Sequence, residues 1–208
     1  MFIFVARLRN PERKPALLAE VIEYLLDKPL SALTFRALAD GLGVSTYTLV
    51  YHFGTRAELV AEIVQAVSER QDFIVTAVAS EAGEIEGHLA NLRTSWKLSL
   101  QPRNLQLQRL EFEAAMFEAR ESRPEGTELG VFRRWHEAGV EALIRMGLNP
   151  MDAELEARVI VDTIYGLHYD LIVTRDTERV SAAFERALDA YEQRLIELLE
   201  DEELDEVS

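Results

Sequence analysis

Apolar residues recur at three- and four-residue intervals along almost the whole chain, which is the period of amphipathic helices. The first clear set begins near Pro15 and consists of Leu17, Leu18, Val21, Ile22, Tyr24 and Leu25. It ends at Lys28-Pro29, because a proline disfavours helical geometry at the residue before it. No segment alternates convincingly with the period of two that a half-buried strand requires. The pattern therefore predicts an all-α protein.

Breaks in the pattern divide the chain into about nine helices. Two short helices, Phe35 to Gly41 and Ser45 to about His52, follow the first one, and a longer helix begins after Gly54-Thr55. Turn-forming residues then leave helices over roughly 85–100, 103–121, 127–146, 151–174 and 178–201. Residues 1–10 show no clear period and are predicted to form an arm carrying Arg7 and Arg9.

The stretch from Leu33 to Leu59 contains the residues that a helix-turn-helix requires. Ala39 is small enough for a close helix crossing, and Gly43 tolerates the left-handed backbone of a tight turn. Helix N-caps are predicted at Thr34, Ser45 and Thr55, the last with Glu58 at capping-box spacing. Apolar residues at suitable spacings can lock the helices together, namely Phe35, Leu38, Leu42, Val44, Leu49 and Phe53. On spacing alone, an ordinary helical hairpin stays open.

A longer sequence motif favours the helix-turn-helix over an ordinary helical hairpin. The run T-x-R-x-L-A-x-x-L-G-V-S starts at Thr34, and Thr48-Leu49, His52-Phe53 and Arg56-x-x-Leu59 follow it. Over roughly residues 15–65 the chain resembles the N-terminal signature of the TetR family of transcriptional repressors. The resemblance implies a three-helix DNA-binding domain with a helix-turn-helix over residues 1–56. It also implies a larger helical domain for ligand sensing and dimerisation over residues 57–208.

The resemblance also assigns roles to individual residues. Arg36 matches an arginine that contacts bases or phosphate, and its guanidinium fork fits guanine O6 and N7. The recognition helix would meet the major groove with its first residues, namely Ser45, Thr46, Tyr47 and Thr48. Positions that anchor the phosphate backbone are matched by Thr34, Tyr51, His52 and Arg56. Purely structural roles stay open for Tyr51, as a cap on the core, and for His52, as a hydrogen-bonding residue.

Two positions depart from the family's pattern. Val50 stands where tyrosine is common, and Tyr47 stands where a small residue is common. The first departure removes a hydroxyl contact, which the neighbouring Tyr51 partly replaces. The operator is therefore expected to differ from those of the best-known members.

Charge is distributed unevenly along the chain. The formal net charge is -15, yet residues 1–60 carry seven basic and six acidic groups, which leaves -16 on the other 148 residues. Because like charges repel, contact with DNA is expected only from the first segment. The chain has no cysteine, and no apolar run long enough to span a membrane or basic-flanked signal peptide is found, so a cytoplasmic location is expected.

The family resemblance implies a homodimer, since one helix-turn-helix makes few contacts and a pair reads two half-sites of a palindromic operator. Two C-terminal helices have faces suited to a four-helix bundle, with the candidate contacts Leu155, Val159, Thr163, Leu167, Phe184, Leu188, Tyr191 and Leu195. Packing of these faces within one chain is the alternative.

The resemblance further implies that a small molecule binds among the middle helices and releases the repressor from DNA. Candidate lining residues are aromatic or apolar with a few polar tips, which suits a hydrophobic or aromatic effector. They are Trp96, Leu100, Phe112, Met116, Phe117, Trp135, His136, Tyr165, His168 and Tyr169. Each of them can equally be a core residue. No cofactor is expected.

One alternative function is a small all-α enzyme. Glu111 and Glu113 are two residues apart and point to different sides of a helix, so they make a poor acid–base pair. The histidines are scattered, and no phosphate loop or nucleophile motif occurs. The expectation is therefore a protein that is not an enzyme. The second alternative is a dimeric helical adaptor with vestigial DNA binding, which the departure at Val50 leaves open.

Overall fold

The computed structural model describes residues 12–78, 85–120 and 127–207. Within these ranges the chain forms nine α-helices and one short 3-10 helix at Leu30–Ala32, without a strand. The α-helices are α1 Arg13–Leu25, α2 Phe35–Leu42, α3 Thr46–Phe53, α4 Arg56–Val78, α5 Ile85–Ser99, α6 Pro102–Arg120, α7 Thr127–Arg145, α8 Pro150–Thr174 and α9 Thr177–Val207. The all-α prediction is confirmed. The predicted N-terminal arm lies outside the described residues.

The chain divides into two compact units, Met1–Ile63 and Val64–Ser208. We refer to them as the first and the second unit. The predicted boundary between a DNA-binding and a sensing domain, after residue 56, is a statement about function and stays a prediction.

The first unit is held together by apolar side chains from all its helices. α2 packs against both α1 and α3. Four side chains of α1, spaced by one, three and four residues, are buried: Leu17, Val21, Ile22 and Leu25. Leu38 of α2 and Leu49 of α3 are completely buried as well. Burial of a leucine side chain contributes roughly 1.5–3 kcal/mol, so this set accounts for the compactness of a small unit.

Local capping fixes where the short helices begin. The Thr34 hydroxyl accepts a hydrogen bond from the Ala37 amide at 3.1 Å, and the Ser45 hydroxyl accepts one from the Thr48 amide at 3.0 Å. Before α4, the Thr55 amide donates to the Glu58 carboxylate at 2.6 Å, and the Glu58 amide donates to the Thr55 hydroxyl at 3.2 Å. All three predicted N-caps, including the capping box, are confirmed.

The second unit has a continuous apolar core in which α8 is the central helix. α8 packs against α6, α7 and α9, and α5 packs against α9. The fully buried side chains include Leu89, Leu143, Leu171, Phe184 and Leu188. α9 continues to Val207 rather than ending near 201; four of the seven residues from 201 to 207 are glutamate or leucine, which both favour helices.

Candidate nucleic-acid interface and sensor core

The turn between α2 and α3 has the geometry that a helix-turn-helix needs. Gly43 lies in the left-handed region with φ 65°, and the Val44 amide donates to the Ala39 carbonyl at 3.1 Å. No atom lies within 4 Å of the place where a Cβ of Gly43 would stand. Glycine is thus required there by the backbone and not by lack of space. Ala39 is buried, as expected of the small residue at the crossing.

A second glycine, Gly41, brings α1 and α2 together, and the sequence analysis did not single it out. A Cβ at Gly41 would collide with the ring of Tyr24, whose Cδ2 atom is 2.9 Å from the built position. The Lys28 ammonium lies 3.8 Å from the centroid of the same ring, close enough for a cation–π interaction. A glycine inside a short helix, opposite a tyrosine of the preceding helix, was the available signal.

The recognition helix α3 has one buried and one exposed side. Leu49 and Phe53 are buried against the first unit. On the opposite arc, Tyr47 is 76% exposed, Tyr51 55% and Val50 49%. The two tyrosine rings stack, with centroids 6.3 Å apart and an angle of 23° between planes. Side chains one helical turn apart thus form a single outward surface that is largely aromatic and apolar.

The polar candidates of α3 differ in how they are used within the chain. Thr46 is exposed. The hydroxyls of Ser45 and Thr48 are 2.8 Å apart and hydrogen-bonded, so both already have partners in the first turn. His52 is half-buried, and its ring meets Tyr51 edge-on with centroids 5.1 Å apart. These contacts keep the side chains in place but leave their roles toward DNA as predictions.

The two candidate arginines are in opposite situations. Arg36 is exposed on α2, and no hydrogen bond or ion pair joins it to another described residue. Arg56 is half-buried, and its Nε donates to the Leu33 carbonyl at 2.9 Å while an Nη atom donates to the Leu30 carbonyl at 3.2 Å. Arg56 therefore ties the 3-10 segment to the start of α4. The predicted contact of Arg56 with the phosphate backbone stays a prediction beside this structural role.

Comparison with known proteins finds similarity to TetR-family regulators in both sequence and fold. Residues 17–63 match the family described as bacterial regulatory proteins, tetR family. A TetR-family transcriptional regulator from Pectobacterium atrosepticum is similar over 90% of this chain and 94% of its own, with a TM-score of 0.65 and 21% identity. Residues 17–63 are therefore similar to the tetR family, and the chain as a whole is similar to such a regulator in fold. No match to a curated protein was found.

Two further solved structures have the same fold as this chain. A transcriptional regulator from Rhodococcus sp. Rha1 has 17% identity and a TM-score of 0.67 over 90% of this chain and 96% of its own. A TetR variant from Acinetobacter baumannii AYE, solved in complex with minocycline, has 22% identity and a TM-score of 0.59 over 89% and 97%.

The second unit contains a stack of three rings from three helices. Trp96 of α5 lies between Phe184, with ring centroids 4.5 Å apart, and His168, with centroids 5.0 Å apart. The Trp96 indole donates to the Ser181 hydroxyl at 3.2 Å. Two of the predicted pocket residues, Trp96 and His168, are thus brought together. Their partner Phe184 was expected at the dimer interface instead.

His168 is held in a defined tautomer. The Ser99 hydroxyl donates to the Trp96 carbonyl at 2.7 Å. It therefore accepts a hydrogen bond from His168 Nε2, 2.8 Å away, and Nδ1 carries the lone pair. Burial lowers the pKa of His168 to about 4, so the imidazole is neutral near pH 7. Burial also lowers the pKa of His88, whose ring nitrogen lies 3.2 Å from the Tyr191 hydroxyl.

A second polar cluster in the second unit is built around a buried carboxylate. Glu111 is buried; the Tyr165 hydroxyl donates to one of its oxygens at 3.1 Å, and the Gln108 amide donates to the other at 2.9 Å. The Phe112 ring meets Tyr165 and Tyr169 edge-on, with centroids 5.9 and 6.3 Å apart. Glu113 pairs with Arg109 instead, so the two glutamates do diverge as expected. The roles of Glu111 and Gln108 were missed.

The remaining pocket candidates are scattered over different environments. His136 is buried and donates through Nε2 to the Glu154 carbonyl at 3.2 Å. Three others are half-buried: Leu100, Phe117 and Trp135. Met116 is 66% exposed and Tyr169 62%. Within the chain these last two are surface residues, and their place in a pocket stays a prediction.

The candidate dimer contacts fall into two groups. In α8, Leu155 and Val159 are exposed at 57% and 56%, and Met151, one turn earlier, is also exposed. Thr163 and Leu167 continue this line and are half-buried. We call Met151, Leu155, Val159, Thr163 and Leu167 the α8 stripe. It is apolar surface that nothing within the described chain covers completely.

The candidates in α9 are placed differently. All four are buried in the core of their own chain: Phe184, Leu188, Tyr191 and Leu195. These side chains are already covered within one chain, and their part in a dimer contact stays a prediction. Burial, together with the negative charge of Glu156, raises the pKa of the Tyr191 hydroxyl.

Among the described residues, no group of three or more histidine, aspartate or glutamate side chains is arranged to hold a metal ion. None of the described helices combines the length and apolar character needed to cross a membrane.

Proposed function

We propose that this chain is a homodimeric, sequence-specific transcriptional repressor, which a small hydrophobic or aromatic molecule releases from a palindromic operator. The observation that carries this proposal is the combination in α3 of a buried side and an exposed side behind a tight glycine turn. A helix of this size, presented in this way, fits the major groove of duplex DNA.

Support for a dimer comes from the α8 stripe. Leu155 and Val159 expose large apolar side chains at successive turns of a long helix, and two copies of such a face can bury each other around a two-fold axis. A dimer would also place two recognition helices on one operator, which a single short helix needs for tight binding.

Support for an effector comes from the polar groups buried in the second unit. A neutral His168 and the Glu111 carboxylate lie among aromatic rings, and ligand sites combine apolar walls with a few placed polar groups. The structurally similar Acinetobacter baumannii protein was solved with minocycline. We take this as support for a ligand-responsive second unit here, with release of DNA as its consequence.

The first experiment is selection of bound sequences from random duplex DNA, followed by affinity measurements at two salt concentrations. We expect enrichment of a palindrome whose half-sites are about one helical turn apart or slightly more. Arg36→Ala and Thr46→Ala should weaken binding to it while leaving the dimer intact. If both variants bind as tightly as the parent protein, the assigned DNA-binding face is wrong; if no sequence is enriched at either salt concentration, specific DNA binding itself is contradicted.

Dimerisation is tested by sedimentation of Leu155→Glu and Val159→Glu. Both positions are exposed within the chain, so each variant should keep its helical circular dichroism and sediment as a monomer. Leu188→Glu is the contrasting variant, since a charge at that buried position should unfold the second unit. A folded Leu155→Glu, Val159→Glu double variant that remains a dimer would place the interface elsewhere.

A further inference from the structure

The exposed side of α3 offers DNA more apolar surface than hydrogen-bonding groups. Tyr47, Val50 and Tyr51 are each exposed by about half or more. The hydroxyls of Ser45 and Thr48 are hydrogen-bonded to each other at 2.8 Å. The Ser45 hydroxyl also accepts a hydrogen bond from the Thr48 amide at 3.0 Å. Both hydroxyls are therefore engaged within the first turn before DNA binds.

An exposed valine in the middle of a DNA-reading helix has few chemical partners. Val50 can neither donate nor accept a hydrogen bond through its side chain, so it cannot read the polar edges of bases. The apolar group that base edges present in the major groove is the C5 methyl of thymine. The Tyr47 ring, stacked on Tyr51 with centroids 6.3 Å apart, extends the same apolar surface along the helix.

We infer that this protein selects its half-sites largely through thymine methyl groups, with Val50 and Tyr47 as specificity-determining residues. The inference rests on the proposed function, because it requires α3 to enter the major groove. Arg36 and Thr46 are exposed residues that can donate hydrogen bonds to bases. A half-site would accordingly combine a guanine contact from the arginine with two or more thymines facing the apolar side of α3.

The test uses the operator obtained by selection. Each thymine of the half-site is replaced, symmetrically in both half-sites, by deoxyuridine, which pairs in the same way but lacks the methyl group. Burial of one such carbon changes an equilibrium constant about fourfold, so a contacted position should lose affinity about fifteenfold when both half-sites change. Thymines that face away from the helix should show no loss.

Variants connect each methyl group to a side chain. Val50→Ala should abolish the deoxyuridine penalty at one position, and Tyr47→Ser should abolish it at another, as expected for directly coupled groups. Both positions are exposed, so helical folding should be unchanged in each. Arg36→Ala is the matched control, because it should weaken binding to every version of the operator by a similar factor and leave the penalties in place.

The outcomes separate the two proposals. If a palindrome is enriched but no deoxyuridine replacement costs more than twofold, the methyl readout is overturned and the repressor proposal stands. If the penalties persist unchanged in Val50→Ala and Tyr47→Ser, the assignment of the methyl readout to these two side chains is overturned. If no palindrome is enriched, both proposals fall together. In a further operator, cytosine replaces a contacted thymine. If 5-methylcytosine at that position restores affinity, the methyl is directly supported as the recognised group.

Discussion

The two units of this protein treat polar side chains in opposite ways. In the described part of the first unit, every buried side chain is apolar, and the hydroxyls of Thr34 and Ser45 act at exposed helix ends. In the described part of the second unit, five polar or charged side chains are buried in the interior: Gln108, Glu111, His136, Glu156 and His168.

The apolar core of the first unit fixes its shape, whereas the core of the second unit also contains hydrogen-bonding groups. An apolar core with capped helices fixes the geometry of a small unit without competing polar arrangements. Buried polar groups cost stability unless they are hydrogen-bonded, and most of those in the second unit are: His168 to Ser99, and Glu111 to Tyr165 and Gln108. A core of that kind can recognise the polar groups of a ligand, which an all-apolar core cannot.

The largest expected effect tests whether apolar packing still dominates in the second unit. Leu188 is completely buried, whereas Met116 is largely exposed. Leu188→Ala should lower the free energy of unfolding by about 2–5 kcal/mol through lost burial and a new cavity. Met116→Ala should change it by less than about 0.5 kcal/mol. Urea denaturation at one fixed protein concentration measures both, and equal costs would contradict the described core.

The next effect concerns pH and the buried imidazole of His168. Its pKa is lowered to about 4 in the folded protein, whereas an unfolded histidine titrates near 6.5. Between these values only the unfolded state takes up the proton, so stability should fall as the pH drops from 6.5 to 4, by about 3 kcal/mol from this group.

The variant His168→Gln isolates that contribution. It removes the titrating group and keeps a donor for Ser99, so unfolding free energies measured between pH 6.5 and 4 should decline less steeply than in the parent. His88, whose pKa burial also lowers, contributes to the slope that remains. An acid dependence as steep as that of the parent would show that His168 is not the buried neutral group described.

A matched pair of glutamates sharpens the comparison further. Glu111→Gln places an amide where Tyr165 and Gln108 donate to a carboxylate. One donor then faces another donor, at a cost of about 1–3 kcal/mol. Glu113→Gln disturbs only a part-exposed pair with Arg109, worth about 0–1 kcal/mol. Thermal unfolding of both variants compares the two stability costs. If Glu111→Gln unfolds at the same temperature as the parent protein, the buried carboxylate does not stabilise the second unit.

The smallest effect lies in the first unit and separates stability from recognition. Ser45→Ala removes an N-cap of α3 and should cost about 1 kcal/mol. Thr46→Ala, at the next residue, should leave stability within about 0.5 kcal/mol and reduce operator affinity. Thermal melting and DNA binding are measured on both variants. A Ser45→Ala variant as stable as the parent protein would contradict the predicted loss of stability.

The contrast also explains which parts of the structure could be predicted from the sequence. The caps at Thr34, Ser45 and Thr55 and the turn at Gly43 depend on atoms within a few residues along the chain, so local chemistry was sufficient. The approach of Tyr24 to Gly41 depends on how α1 crosses α2. Spacing alone does not determine that crossing.

In the second unit, periodicity predicted the helices but not their partners. The pairs His168–Ser99 and Tyr165–Glu111 join residues 69 and 54 positions apart, and only packing brings them together. The sequence of an apolar helix face likewise does not predict which surface packs against it. The face of α9 containing Leu188 is covered by its own chain, whereas the α8 stripe keeps Leu155 and Val159 exposed.

The stacked position of Trp96 gives the protein an optical reporter of its own interior. The chain has two tryptophans, and Trp96 is the one whose ring lies between Phe184 and His168, screened from water. Indole emission moves to longer wavelength when water reaches the ring. Fluorescence of the unlabelled protein will therefore signal any rearrangement that separates α5, α8 and α9, without an attached dye.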